Sequence, residues 1–266
     1  MPQVLPLAGD QALVSLMVIY FMVSVRFLAL IFTASVFMLP SFPNQAKLWV
    51  SVMLSVIVTP LADVSIPTAL LGDWVYVLLM TAREFLIGAS IGFISSLPLY
   101  ALQASGYVEG MVMGFNMMNM FDPLSSQQSS VLAQVKYFLA IWFFMRWNGH
   151  ILLVRALAES LTLVPPGPGA WPGAGGVPWL DWLQRLFLMA MSLSLPVLGA
   201  VILADVGLGF VARTVPQMNV FVLGIPLKIC VGFLVLLAII PSAVDVMHAE
   251  VERAVEYALS GIYYWR

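Results

Sequence analysis

Charged side chains are scarce in this chain of 266 residues, of which only 9% are Asp, Glu, Lys or Arg. A typical water-soluble domain carries about 25% charged residues. Because 62% of its residues are hydrophobic, the chain lacks the polar surface that it would need in water. The net charge of −2 excludes the basic electrostatic field that a nucleic-acid partner requires. The composition therefore predicts a membrane protein whose surroundings are lipid or other apolar protein.

Cysteine and histidine are nearly absent as well. Cys230 lies in an apolar run and has no second cysteine to pair with, so we expect a small buried hydrophobe. His150 and His248 are far apart in sequence and have no metal-ligand companions at a familiar spacing. The sequence contains no phosphate-binding glycine loop, nucleophile signature or zinc motif. We therefore predict a protein that is not an enzyme and that needs no metal or cofactor.

Long apolar segments, separated by proline and glycine, make up most of the chain. We identify six, at about Ala12–Leu39, Leu48–Leu61, Trp74–Tyr100, Val131–Ala158, Leu183–Val211 and Val220–Ile240. A helix that crosses a bilayer needs roughly 20 apolar residues, and charges interrupt most of these segments. Each charge near a bilayer centre costs roughly 2.5–3.5 kcal/mol, so these helices are expected to face protein or a wet lumen.

The predicted fold is an all-α membrane protein of about six kinked or broken hydrophobic helices arranged as hairpins. Residues 1–241 are predicted to form one membrane domain, which contains an exposed, flexible loop at Val164–Pro178 with five prolines and five glycines. Residues 242–266 are predicted to form a C-terminal amphipathic helix, because apolar side chains recur there at helical spacing.

Small residues recur at four-residue intervals in the third segment and after it. Gly88 and Gly92 form one such pair, and Gly106, Gly110 and Gly114 extend the spacing over two intervals. Glycine at this spacing allows two helix backbones to approach closely. We expect these glycines to mark helix packing within the chain.

The segment GMVMGFNMMNMFDP, Gly110–Pro123, contains five of the sixteen methionines, with Phe115 and Phe121 between them. Methionine is flexible and polarizable, so a methionine cluster can close on itself and still adapt to varied partners. Phenylalanine supplies bulk for an apolar constriction that excludes water. From the pattern alone, an ordinary methionine-rich turn of the core remains the favoured interpretation.

The segment ARTVPQMNVFVLGIPLK, Ala212–Lys228, contains Pro216 and Pro226 on either side of polar Gln217 and Asn219. It predicts a broken helix or a re-entrant turn, in which the polar side chains satisfy freed backbone groups. Broken helices also occur in transporters. The pattern thus leaves a channel subunit and a transporter both open.

The same string resembles the signature of the FliR/SctT family of type III secretion export-gate proteins. Other segments fall in the order expected for that family, namely VRFLALIFTASVFMLP, AREFLIGASIGF, MVMGFNMMNMFDP, WNGH, ESLTLVP and LPVLGAVILADVGLGFVAR. The resemblance extends from about Val25 to Pro241. The GIPLK string favours the flagellar branch of the family over the virulence-injectisome branch.

The resemblance implies a non-enzymatic subunit of the flagellar export gate, in the bacterial inner membrane at the flagellar basal body. Such a subunit would assemble with FliP-like, FliQ-like and FlhB-like subunits around the channel for unfolded flagellar proteins. In that family the segment matching Gly110–Pro123 forms a plug in the closed pore, which reverses the interpretation from the pattern alone.

Two groups of candidate residues follow from the resemblance and from the charged or broken segments. The gate or plug candidates are Gly110, Met113, Gly114, Phe115, Met117, Met118, Met120 and Phe121. The structural or assembly candidates are Arg26, Glu84, Asp122, Pro123, Asp205, Arg213, Pro216, Gln217, Asn219, Pro226 and Lys228. We expect Lys228 to pair with a carboxylate or carbonyl of a neighbouring subunit.

Two alternative functions remain at this point. The first is an SctT-type gate subunit of a virulence injectisome. The second is a stand-alone secondary transporter, in which Arg26, Glu84, Asp205 and Lys228 would line a small-molecule site. No inverted repeat is visible in the sequence, which disfavours the transporter.

Overall fold

The structure, a computed structural model, describes residues 9–38, 43–61, 73–115, 130–167, 169, 179–215 and 220–262. Within these ranges the chain forms seven α-helices and two short 3-10 helices at Ser35–Phe37 and Thr59–Leu61, and no strand occurs in them. The helices are α1 (Gly9–Thr33), α2 (Asn44–Val58), α3 (Trp74–Met113), α4 (Val131–Arg146), α5 (Gly149–Leu163), α6 (Trp179–Thr214) and α7 (Val220–Ile262). The prediction of an all-α membrane protein is confirmed.

Four of these helices, α1, α3, α6 and α7, are long and apolar enough to cross a membrane. A fifth crossing results if α4 and α5, which are separated by Trp147 and Asn148, count as one broken span. The fourth predicted segment therefore corresponds to two helices. Asn148 lies at the break with φ of 57°, in the left-handed region that ends a helix.

The long helices extend farther than the sequence predicted. Helix α3 is 40 residues long and contains Pro98 in its interior. Helix α7 is 43 residues long and contains Pro226 and Pro241. A backbone that left the helix in apolar surroundings would expose unpaired N–H and C=O groups, so losing one hydrogen bond at a proline costs less than ending the helix. The predicted C-terminal amphipathic helix is thus the last part of α7.

The amphipathic pattern of that last part is present as predicted. Met247, Val251, Val255 and Ala258 are buried at helical spacing, whereas Glu252 and Glu256 are exposed. The division of the chain into a membrane domain at 1–241 and a tail at 242–266 stays a prediction.

The chain consists of two compact units. The first comprises the described residues of Met1–Ser96, Asn148–Trp179 and Glu252–Arg266, and the second those of Leu97–Trp147 and Leu180–Val251. The first unit therefore holds α1, α2, the first part of α3 and α5. The second holds the remainder of α3, α4 and most of α6 and α7.

In the first unit, glycines bring α3 against α1. A Cβ atom on Gly88 would overlap the backbone oxygen of Arg26, and a Cβ atom on Gly92 would lie 2.7 Å from the backbone oxygen of Leu30. Neither position has room for a side chain, so the two backbones are in direct contact. The small-residue pair at Gly88 and Gly92 therefore serves packing within the chain, as predicted.

One face of α2 buries polar side chains, whereas most of the apolar side chains of this helix are exposed. Lys47, Ser51, Ser55 and Thr59 recur every four residues and are buried, and Ser55 Oγ lies 2.7 Å from Ser24 Oγ on α1. The exposed face carries the apolar side chains Trp49, Met53, Val56 and Ile57. This is the reverse of a helix in a water-soluble protein. The medium around α2 is therefore apolar.

The core of the second unit contains side chains from four helices. Its buried members are Met113, Leu132, Val197, Val201 and Leu236, from α3, α4, α6 and α7. Met113, at the end of α3, is completely buried among them. One of the predicted gate residues is thus a core residue of its unit.

Candidate gate region and buried ion pairs

Arg26 on α1 and Glu84 on α3 form a fully buried ion pair in the first unit, with both side chains 0% exposed. Arg26 Nε donates to Glu84 Oε2 at 2.6 Å. The guanidinium also donates to Ser160 Oγ on α5 and to the backbone oxygen of Val164, each at 3.1 Å. A buried charge is tolerated when it is paired and hydrogen-bonded. Arg26 therefore links three helices through one side chain.

Arg83, next to Glu84, holds the start of the proline- and glycine-rich segment. Its Nη1 donates to the backbone oxygen of Gly167 at 3.0 Å. The guanidinium also lies against Gly169, where a Cβ atom would be 2.5 Å from Arg83 Cζ. Val164, Pro166 and Gly167 are buried.

This arrangement differs from the exposed, flexible loop predicted for Val164–Pro178. Arginines from α1 and α3 bind the carbonyl groups of Val164 and Gly167, so the beginning of the segment is packed. Sequence reasoning missed this because a proline-glycine run carries no signal of which side chains will bind its carbonyls. Residues 170–178 lie outside the described part of the chain.

A second buried ion pair joins α3 to α4 in the second unit. Lys136 Nζ lies 2.5 Å from Glu109 Oε1, with side-chain exposures of 8% and 0%, and donates to Ser105 Oγ at 3.0 Å. Gly106, between these two α3 residues, brings the helices together, since its Cβ atom would lie 2.9 Å from Ala133 Cα. The sequence analysis missed Glu109 and Ser105. The sequence feature that could have identified Glu109 is its position as a carboxylate next to Gly110, inside an apolar run.

Helix α3 ends immediately after this ion pair, at the first of the predicted gate residues. Gly114 has φ of 90°, a conformation that favours glycine. The Phe115 N–H donates to the Gly110 oxygen at 2.9 Å, and the Gly114 N–H donates to the Met111 oxygen at 3.2 Å. These two bonds form a Schellman motif, which satisfies the last carbonyls of a helix. Gly114 therefore ends the helix.

Met113 and Phe115 pack against α7 on either side of that glycine. The Cγ and Sδ atoms of Met113 each lie 2.9 Å from the position that a Cβ atom on Gly232 would occupy. The rings of Phe115 and Phe233 are 6.0 Å apart, edge to face at 85°. The structure thus brings Gly110, Met113, Gly114 and Phe115 together with α7.

Asp205 on α6 and Lys228 on α7 form an ion pair of a different kind. Their Oδ1 and Nζ atoms are 2.7 Å apart, and the side chains remain 45% and 26% exposed. We expected Lys228 to pair with a neighbouring chain, but its carboxylate partner is in this chain. The same helices carry the exposed apolar side chains Leu203, Phe210, Val222 and Leu234.

The other predicted residues fall into two sets. Arg213 is exposed in the last turn of α6, where a cation favours the helix dipole, and Pro226 lies inside α7. The rest lie outside the described residues, namely Met117, Met118, Met120, Phe121, Asp122, Pro123, Pro216, Gln217 and Asn219. Cys230 is exposed, so the prediction of a buried cysteine is wrong. It lies on α7, whose outer face is apolar in composition.

The described residues contain no group of three or more His, Cys, Asp or Glu side chains that could hold a metal ion. Most of the candidate residues among them form ion pairs within the chain or apolar contacts. This arrangement favours packing and assembly.

Comparison with known proteins identifies the family. The sequence pattern of the family "Bacterial export proteins, family 1" matches residues 17–254. The chain is 35% identical to the flagellar biosynthetic protein FliR of Bacillus subtilis over 164 residues, which span 60% of this chain and 63% of that protein. It is 28% identical to FliR of Escherichia coli over 224 residues, which span 84% of each chain. It is 29% identical to the Yop proteins translocation protein T of Yersinia pestis over 168 residues, which span 60% of this chain and 62% of that protein.

The family pattern covers both compact units and every described candidate residue. The family consists of export-apparatus proteins and not of enzymes, which confirms the prediction of a non-enzymatic protein. The long apolar helices agree with a location in a membrane. The chain therefore belongs to the bacterial export proteins of family 1, the FliR/SctT family.

Proposed function

We propose that this chain is a subunit of the flagellar protein export gate in the bacterial inner membrane, at the flagellar basal body. It assembles with FliP-like, FliQ-like and FlhB-like subunits, and the assembly encloses the channel through which unfolded flagellar proteins pass. Relatives named as flagellar biosynthetic proteins, matched over 84% or more of this chain in four cases, support this proposal.

The observation that carries the proposal is the half-exposed ion pair of Asp205 and Lys228 on otherwise apolar helices. Charged atoms in contact with hydrocarbon are costly, and this pair leaves 45% of one side chain and 26% of the other uncovered by the chain itself. Polar groups of neighbouring subunits, or water in a shared channel, remove that cost. The pair therefore marks a surface for subunits and not for lipid.

The Met/Phe-rich segment Gly110–Pro123 contributes the plug of the closed channel. A gate for unfolded chains must block ions and yet accept side chains of every size. Methionine and phenylalanine meet both needs, because an apolar constriction excludes water and methionine adapts its shape. The packing of Met113 and Phe115 on α7 supports this role at the start of the segment.

Affinity purification of the tagged chain, co-expressed with FliP-like and FliQ-like subunits, tests the assembly. We expect a defined complex in detergent, and we expect Phe210→Ala on the exposed face of α6 to reduce its yield. Glu159→Ala, at an exposed charged residue of α5, is the matched control and should retain the complex. Recovery of the wild-type chain as a free monomer under these conditions would contradict the proposal.

A gate subunit of a virulence injectisome is the second candidate, because relatives from Yersinia pestis and Salmonella typhimurium belong to secretion systems by name. Expression of the chain in cells that lack either the flagellar or the injectisome gate subunit separates the two. Restored motility without restored injectisome secretion supports the flagellar assignment, and the opposite result supports the second candidate.

A further inference from the structure

We propose that Gly232 and Phe233 on α7 are positioning residues of the gate, which hold the end of α3 in the closed state and release it when the gate opens. This inference rests on the proposed function. Neither residue has a role that the sequence indicates, but Gly232 lies against Met113 and Phe233 against Phe115.

The contact is close and entirely apolar. Met113 is completely buried, and its Cγ and Sδ atoms occupy the space next to Gly232 that any other residue would fill with its own Cβ atom. One residue farther along α7, the ring of Phe233 meets the ring of Phe115 edge to face. Gly232 and Phe233 therefore each contact one predicted gate residue.

The end of α3 is attached on two sides, and the two attachments differ in what it costs to separate them. On the α4 side, Glu109 and Lys136 form a buried ion pair. Separating such a pair leaves two uncompensated charges in an apolar core, which is strongly unfavourable. On the α7 side, the contacts are the dispersion contacts of a flexible methionine and one aromatic pair, and separating them leaves no charge without a partner. The contacts with α7 are thus the ones that can separate when the gate opens.

The backbone permits such a release at one defined position. Gly114 lies between Met113 and Phe115 with φ of 90°, and a Cβ atom there would meet only Ile225 Cγ2, at 3.9 Å. Glycine changes its backbone dihedrals at little steric cost. Once Phe115 has left Phe233, the last turn of α3 can unwind and take Met113 away from Gly232, while the ion pair of Glu109 keeps the rest of the helix in place.

A reversible cross-link tests the release. Met113 Cγ lies 2.9 Å from the Cβ position of residue 232. The distance between the Cβ atoms of Met113→Cys and Gly232→Cys therefore exceeds 2.9 Å by at most the length of one C–C bond. That separation suits a disulfide, which needs roughly 3.5–4.5 Å between Cβ atoms. The double variant is made in a Cys230→Ser chain, expressed in cells that lack their own gate subunit, and oxidised after assembly. Secretion of flagellar subunits is measured before and after reduction.

We expect the oxidised double variant to lose secretion and to regain it on reduction. Oxidant should not change secretion by either single-cysteine variant. A complete cross-link with unchanged secretion would overturn the inference, and so would the absence of any cross-link. If the Cys230→Ser chain and the unaltered chain both fail to restore secretion, the proposed function fails, which is a separate result and removes the inference with it.

A second pair of variants tests the same contact without a disulfide. Gly232→Ala inserts a methyl group against Met113 and is expected to raise ion leakage through the purified assembly. Gly207→Ala on α6, where a Cβ atom would have no neighbour within 4 Å, is the matched control and should leave leakage unchanged. Equal leakage in the two variants would contradict the positioning role of Gly232.

Discussion

Arg26 Nε donates to Glu84 Oε2 at 2.6 Å, and neither side chain is exposed at all. The pair joins α1 to α3, and the remaining guanidinium nitrogens reach Ser160 and the Val164 carbonyl. The first unit is thus held together in part by the buried cation of Arg26. Its stability should depend on that cation being neutralised.

Arg26→Leu is therefore expected to destabilise the protein by about 3–5 kcal/mol, because Glu84 would remain buried without a partner. The double variant Arg26→Leu, Glu84→Leu should recover much of this loss, since it removes both charges of the pair together. Thermal unfolding of the detergent-solubilised assembly provides the measurement. Arg155→Leu, at an exposed arginine of α5, serves as control. A double variant less stable than the single one would refute this explanation.

Gly88→Ala is expected to destabilise the α1–α3 contact, because its methyl group would overlap the backbone oxygen of Arg26. Overpacking of this kind costs about 1–3 kcal/mol. Gly199→Ala, on α6 with no atom within 4 Å of its Cβ position, is the matched helical control. Protease resistance of the two variants in membranes distinguishes them, and equal resistance would show that the α1–α3 approach is not tight.

Lys228→Ala is expected to lower the yield of the complex with FliP-like and FliQ-like subunits. The substitution leaves Asp205 without its partner on a surface that we assign to neighbouring subunits. Lys228→Arg keeps the charge and should retain most of the yield. Size-exclusion chromatography of the purified complexes measures the effect. An unchanged complex in Lys228→Ala would show that this pair makes no contribution to assembly.

Replacement of Met117, Met118 and Met120 together by Ala is expected to loosen the closed gate. These residues lie outside the described part of the chain, and the prediction comes from their clustering beside Phe121 in the sequence. Shorter side chains leave a wider apolar constriction, which admits water and ions. Ion conductance of the reconstituted assembly is the measurement. Conductance equal to that of the unaltered assembly would remove the sealing role.

The sequence predicted most of the helices because their signal is local. Apolar runs, small-residue spacing and the amphipathic pattern after Pro241 all recur in the structure. Helix ends were less predictable. Helix α3 continues past the predicted end at Tyr100, and α7 continues past Pro241, because apolar surroundings penalise a broken backbone more than a missing hydrogen bond.

The partners of the candidate residues were the least predictable part. The sequence identified Arg26 and Glu84 as unusual charges, but they are 58 positions apart and only the fold brings them together. Glu109 and Lys136 form a second buried pair that was not predicted from the sequence. Gly232 and Phe233 carried no signal, since glycine and phenylalanine are common in apolar helices.

Helix α2 has a consequence for how the protein matures. Its fifteen residues span about 22 Å at 1.5 Å per residue, less than the roughly 30 Å of a bilayer core. In water, the exposed apolar face with Trp49 and Met53 would drive the chain to associate with other apolar surfaces. Its serines would form hydrogen bonds with water instead of packing against α1. We therefore expect the α1–α2 hairpin to be stable only where hydrocarbon or neighbouring subunits cover this apolar face.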